Sequence, residues 1–171
     1  MNQFGKVSFK QYLADRRKLM PFKMDDDYKV EAEYEQIKLP ERATAGSAGY
    51  DLYAPYDIFL APGESVTVPT GIHVYLDPDK FLAVYPRSGL GFRYKLQLWN
   101  TVGVIDSDYI NADNEGHIMA KLYNDSPDGR ELLIEAGKGM AQGIIQQYFL
   151  TSNDSAYKTR SGGFGSTDKQ G

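Results

Sequence analysis

From Tyr34 onward the chain is cut into short apolar runs by glycine and proline, and this punctuation constrains the fold more than any other feature. Ser65-Val66-Thr67-Val68 and Ile72-His73-Val74-Tyr75 alternate with a period of two. That period sends successive side chains to opposite faces, as half-buried strands require. The same reading predicts strands over Tyr34 to Leu39, Gly49 to Tyr53, Glu64 to Val68, Gly71 to Leu76, Phe81 to Tyr85, Leu96 to Trp99, Val102 to Ile105, His117 to Tyr123, Glu131 to Ile134 and Gly143 to Leu150. Many short strands between turn signals predict an all-β domain, an antiparallel sandwich or barrel of jelly-roll-like topology. No internal repeat is visible.

The two ends read differently. Ser8 followed by Gln11 resembles a capping box, and Phe9, Tyr12, Leu13, Leu19 and Met20 keep roughly helical spacing, so one helix is expected before Pro21. Phe22 to Glu35, with Asp25, Asp26 and Asp27, is weakly patterned and reads as a solvated connector. The tail from Thr151 is polar and glycine-rich and cannot build a core. The expected division is an N-terminal extension over 1–33, a β domain over 34–150 and a flexible tail over 151–171.

Composition removes whole classes of chemistry. The chain of 171 residues has no cysteine and two histidines, His73 and His117. Disulfides, thiolate zinc sites and cysteine nucleophiles are excluded, and a Ser-His-Asp arrangement is nearly so. A formal net charge of −4 provides no diffuse positive field for nucleic acid, although a local basic site for a small anion remains open. No stretch approaches the ~20 apolar residues of a membrane helix, and the charged start lacks the apolar run of a signal peptide. The expectation is a soluble, cytoplasmic protein binding neither membrane nor nucleic acid.

Chemistry must then rest on carboxylates, Arg, Ser, Gln and backbone. Pro86-Arg87-Ser88-Gly89-Leu90-Gly91 combines a guanidinium, a hydroxyl and exposed N–H groups, equipment for a phosphate, or is an ordinary glycine turn. Arg160 with Gly162 to Thr167 is either a phosphate-wrapping loop or a plain mobile terminus. Gly137-Lys138-Gly139 is not a Walker loop, because Gly follows the Lys. Asp106-Ser107-Asp108 is a carboxylate pair near a water or metal, or a turn bonding its own backbone; Ile110 and Asn111 exclude an EF-hand. Asp51, inside an apolar strand, needs a partner or ion, since burying it alone costs several kcal/mol. Gln142 is an amide ligand or a turn residue, and Phe164 between glycines is a candidate lid over a flat ring.

The order of these segments carries more than any one of them. Ala48-Gly49-Tyr50-Asp51-Leu52, Pro86-Arg87-Ser88-Gly89, Asn100-Thr101-Val102-Gly103-Val104-Ile105-Asp106-Ser107-Asp108-Tyr109, Gly139-Met140-Ala141-Gln142 and Arg160-Ser161-Gly162-Gly163-Phe164-Gly165-Ser166-Thr167 resemble the five ordered motifs of the homotrimeric dUTPases. The resemblance covers Tyr34 to Thr167. It implies a distorted jelly-roll β-barrel, a homotrimer with shared active sites, and Mg²⁺-assisted hydrolysis of dUTP to dUMP and pyrophosphate. That activity limits uracil incorporation into DNA and supplies dUMP for dTMP synthesis.

By the same resemblance Asp106 is the general base. Asn100 and the backbone of Gly103, Val104 and Ile105 read the uracil, with Met119 in the substrate-binding set, and Tyr109 packs under the deoxyribose. Arg87, Ser88, Gly89 and Gln142 hold the phosphates, and Asp51 binds Mg²⁺ through water, the metal being held mainly by the substrate. Arg160, Gly165, Ser166 and Thr167 close on the phosphates while Phe164 covers the base. Closure would couple ordering of the tail to recognition.

Two features depart from the family pattern. Ile110 to Gly116 makes a longer loop after the motif-three tyrosine. The N-terminal extension lies outside the usual core and is expected to pack on a neighbouring subunit through Phe9, Leu13 and Leu19. Two rival readings are a dCTP deaminase of the same fold and a non-catalytic jelly-roll binding module. In Met119-Ala120-Lys121-Leu122-Tyr123-Asn124, Lys121 stands where a deaminase would place its glutamate. Intact Asp106 and an intact tail oppose the binding module.

Overall fold

The computed structural model describes residues 1–20 and 26–158. Pro21, Asp25 and the tail residues Arg160, Phe164, Gly165, Ser166 and Thr167 lie outside them. The strands are β1 (Gln3–Lys6), β2 (Glu41–Arg42), β3 (Tyr50–Tyr53), β4 (Ile58–Leu60), β5 (Ser65–Pro69), β6 (Ile72–Tyr75), β7 (Lys80–Pro86), β8 (Leu96–Leu98), β9 (Gly103–Asp106), β10 (Met119–Asn124), β11 (Leu132–Ile134) and β12 (Gly139–Gln147). Helices α1 (Phe9–Leu19), α2 (Asp27–Glu35) and α3 (Ser88–Tyr94) and a 3₁₀ turn (Ser107–Asn111) complete the order.

All strand pairs are antiparallel. They form a five-stranded sheet in the order β2-β3-β12-β7-β9, a three-stranded sheet β5-β10-β8, and two-stranded sheets β1-β6 and β11-β4. The fold is therefore mostly β and jelly-roll-like, with its strands divided among several sheets rather than closed into one barrel. Period-two patterning is clearest in β10, where Ala120, Leu122 and Asn124 point inward. Asn124 is tolerated there because its amide donates to the Leu60 and Arg130 carbonyls and accepts from Ser126 N. Leu52, Val68, Leu82, Leu122, Leu132 and Met140 fill the core between the sheets.

The N-terminal segment departs from the sequence expectation in three ways. Gln3–Lys6 is a strand paired with β6, and the connector contains α2, so the expected strand over Tyr34 to Leu39 gives way to a helix end and coil. Glu33 drives this: on α2 it ion-pairs with the 3% exposed Arg16 of α1 at 3.1 Å and accepts from Tyr12 Oη, while Val30 on the same helix is buried. Second, the cap of α1 is completed from afar. Ser8 Oγ accepts from Gln11 N, but the Gln11 side chain turns to Asp15, and the Glu115 carboxylate takes Ser8 N at 2.7 Å and Ser8 Oγ at 2.6 Å. Third, Val7 and Tyr12 are fully buried, and Phe9 and Leu13 pack against this chain's own core. Phe9, Leu13 and Leu19 are partly buried within their own chain.

Gly71 shows how closely this unit is seated. At φ +73° it donates to His117 Nε2, its carbonyl accepts from Val7 N, and a Cβ there would lie 2.3 Å from Ile37 Cδ1. Among the described residues no helix is long and apolar enough to cross a membrane.

Candidate active site

The first cluster forms where three strands of the large sheet end together. Asp51 of β3 stands opposite Gln142 of β12, and Gln142 opposite Tyr85 of β7, so motifs far apart in sequence become lateral neighbours. Gln142 lies inside a strand and not in a turn, since β12 begins at Gly139, before the expected start at Gly143. Its side chain donates to the Pro86 carbonyl at 3.0 Å. Arg87 follows β7 and is the N-cap of α3, so Arg87-Ser88-Gly89 opens a helix where a turn was expected.

Arg87 is fixed on two sides. Its Nε meets Asp51 Oδ1 at 3.0 Å, and its Nη1 donates to the Gly139 carbonyl at 3.2 Å. This is the partner that a carboxylate within an apolar strand requires. Two glycines make room: a Cβ on Gly139 would lie 2.5 Å from Arg87 Nη1, and one on Gly49 would lie 2.7 Å from Gln142 Oε1. Asp51, Arg87, Ser88, Gly89 and Gln142 all line one cavity of about 780 Å³. Arg93, Lys138 and Glu135 also line it and were not predicted. The Gly-Lys-Gly sequence around Lys138 was a usable signal even though it is no Walker loop.

The second cluster is smaller and carries less charge. A cleft of about 40 Å³ is lined by Asn100, Gly103, Val104, Ile105 and Met119, together with Val84, Leu98, Ala120 and Lys121. Thr101 holds φ +64°, uncommon for a β-branched residue, and Thr101 N donates to the Leu98 carbonyl while Val102 N donates to the Asn100 carbonyl. This bent link sets Asn100 at the cleft. Lys121 lies 4.0 Å from the Trp99 ring centroid, a cation over an aromatic face where a deaminase would need a carboxylate.

Asp106 ends β9 opposite Phe81, whereas Pro86, at the phosphate-type cavity, stands opposite Ala141. Five residues of β7 separate the two levels, about 17 Å at strand rise. Within one chain the structure therefore does not bring Asp106 beside Asp51 and Arg87. Tyr109 is 6% exposed, with its hydroxyl held by His117 O and Asn114. Among the described residues no group of three or more His, Cys, Asp or Glu could hold a metal ion unaided.

A mostly β scaffold thus carries a charged cavity and a separate narrow cleft, and comparison with known proteins gives the class. The dUTPase family model matches residues 35–168. The chain is 40% identical over 134 residues to the deoxyuridine 5'-triphosphate nucleotidohydrolase of Lactococcus lactis, covering 77% of this chain and 88% of that one. It is 41% identical over 143 residues to that of Actinobacillus pleuropneumoniae serotype 5b, covering 79% and 90%. The dUTPase structure from Streptococcus mutans aligns with TM-score 0.60 at 38% identity, over 67% of this chain and 89% of that one. A phage phi11 dUTPase of S. aureus, whose structure reveals a structural Mg(II) ion, shares the fold at TM-score 0.62 and 18% identity, over 92% of this chain and 97% of that one. The chain belongs to the dUTPase family. It is a dUTP diphosphatase, a hydrolase of nucleotide metabolism.

Proposed function

We propose that the chain hydrolyses dUTP to dUMP and pyrophosphate by attack of water on the α-phosphorus. In this reading the water's oxygen bonds to that phosphorus, the bond to the oxygen bridging toward the β-phosphorus breaks, and Asp106 takes the water's proton. A carboxylate gains efficiency here from placement within hydrogen-bond reach of the water. Arg87, Ser88, Gly89 and Gln142 hold the phosphate chain, and Arg87 offers a planar donor fork for developing negative charge. Asn100 and the backbone of Gly103, Val104 and Ile105 read the uracil beside Met119, and Tyr109 walls the deoxyribose. Arg160, Phe164, Gly165, Ser166 and Thr167 are assigned to closure over base and phosphates.

Mg²⁺ fits these residues as a group carried by the substrate. The cavity offers Asp51 and a basic rim rather than a carboxylate cage, and Mg²⁺ commonly sits on one or two carboxylates, waters and substrate phosphates. Asp51 would hold it through water, and the bound ion would supply charge neutralisation on the phosphates.

The observation that carries the reading is the seating of Asp51, Arg87 and Gln142 in one cavity by adjacent strands. The distance from that cavity to Asp106 favours a site completed by two chains, as in the homotrimer that the family resemblance implies. Light scattering should give three times the 19.2 kDa chain mass. The activity test measures pyrophosphate release from dUTP, dTTP, dCTP and UTP with Mg²⁺, for the intact chain and Asp106→Asn. Release from dUTP alone, lost in the variant, is expected. Ammonia from dCTP with dUTP untouched would replace this mechanism with deamination.

A further inference from the structure

The longer loop after the motif-three tyrosine folds back behind Tyr109 and grips it. Tyr109 Oη donates to the His117 carbonyl at 3.1 Å and accepts from Asn114 Nδ2 at 3.0 Å; the same nitrogen donates to the His117 carbonyl at 3.3 Å. Asn114 Oδ1 is buried with no hydrogen-bond partner among the described residues. The opposite amide orientation would set that oxygen against the His117 carbonyl, so the nitrogen is what holds this side chain in place. Close packing brings the loop over Tyr109: Gly116, at φ +67°, would place a Cβ 2.8 Å from Ile110 Cα.

The loop is in turn bolted to the N-terminal unit. Glu115, next to Asn114, takes both Ser8 N and Ser8 Oγ. These bonds hold its carboxyl below the usual carboxylate range. On the other flank, Gly71 N donates to His117 Nε2 at 2.8 Å, which requires His117 Nδ1–H to donate to Asp15 Oδ2 at 2.7 Å. Ser8 and Asp15 both precede the region matched by the dUTPase model.

We propose that Asn114 is a positioning residue for sugar discrimination, keeping Tyr109 from retreating, and that the Glu115–Ser8 clamp holds Asn114 in turn. The proposal rests on the reading that Tyr109 walls the deoxyribose. A wall rejects an added 2′-hydroxyl only as far as it resists displacement, because discrimination by clash is the energy of moving the wall. A ring held at its hydroxyl end by two partners resists more than one held by packing alone.

The test compares kcat/KM for dUTP and UTP. Asn114→Leu keeps roughly the side-chain volume but removes the Nδ2 donor to Tyr109 Oη and the His117 carbonyl. The dUTP:UTP ratio should fall about three- to tenfold, the range of one lost hydrogen bond, mainly through improved use of UTP. Glu115→Ala and Ser8→Ala, on the partly exposed clamp, should shift it in the same direction by less, and they carry the test if Asn114→Leu fails to fold. In a Tyr109→Phe background, Asn114→Leu should have no further effect on the ratio, since the hydroxyl that Asn114 grips is gone. Leu132→Ala, a core variant, controls for lost stability alone and should leave the ratio unchanged.

If none of the three loop and clamp variants moves the ratio beyond Leu132→Ala while Tyr109→Ala collapses it, the proposal is overturned and the wall survives. A ratio unmoved in Tyr109→Ala defeats the wall and the proposal together.

Discussion

The phosphate-type cavity and the nucleoside-type cleft solve opposite problems. The first is wide, about 780 Å³, and charged, and it is held by contacts among its own residues: Arg87 on Asp51 and Gly139 O, Gln142 on Pro86 O. The second is about 40 Å³ with Lys121 as the one charged residue of its lining, and the tyrosine following it is held by a loop that leans on the N-terminal unit. A triphosphate arrives hydrated and needs room and charge. A base needs a slot, and a sugar needs a wall that does not move. The comparison teaches that the charged cavity is held by groups that meet at the ends of adjacent strands of one sheet, whereas Tyr109 depends on a loop braced by the separate N-terminal unit.

Asp106→Asn should test the chemistry most severely, lowering kcat for dUTP by about 10²- to 10⁴-fold with little change in KM; steady-state pyrophosphate release measures it. Arg87→Ala should follow, with a loss of about 10²- to 10³-fold in kcat/KM. Arg87→Lys should recover only part of that loss, because an ammonium keeps the charge but not the fork that meets Asp51 and Gly139 O. An Arg87→Lys variant as active as the intact chain would show that the cavity uses charge alone. Gly139→Ala should raise KM for dUTP about tenfold by displacing the guanidinium, with dUTP:UTP preference unchanged, which separates the two regions directly.

Acidification should act first on the nucleoside side. Burial holds the His117 imidazole below the usual histidine range, its bond to Asp15 acting in the other direction. A depressed histidine is neutral when folded, so below its ordinary 6.5 the unfolded chain binds more protons. Stability is therefore full above that pH and falls as pH drops toward the folded value. Tm should fall by a few °C between pH 7.5 and 5.5, and His117→Gln should flatten that slope. Glu115 adds its own loss only below its ordinary 4.5.

Much of the fold was legible locally. Alternation marked β5 and β6, because a strand's period is written in neighbouring residues. The need of Asp51 for a partner was also legible, though not that Arg87 would be it. Short strands such as β1 and Ile58–Leu60 were missed, since each is stabilised by its pairing partner and carries little pattern of its own. Helix α2 was missed because Glu33 looks solvated until Arg16 and Tyr12 come to meet it.

The sequence by itself determined the all-β class, the absence of cysteine chemistry, and the ordered set of Asp51, Arg87, Asn100, Asp106 and Gln142, since residue type and period are local properties. Only the tertiary structure decided that Asp51, Arg87 and Gln142 share a cavity while Asp106 lies about 17 Å along β7 from it. It alone showed that Glu115, and not Gln11, completes the cap of α1, and that Asn114 reaches Tyr109. These are contacts between residues distant in sequence or across a folded-back loop, and their energies exist only once strands and helices have been brought to the same place.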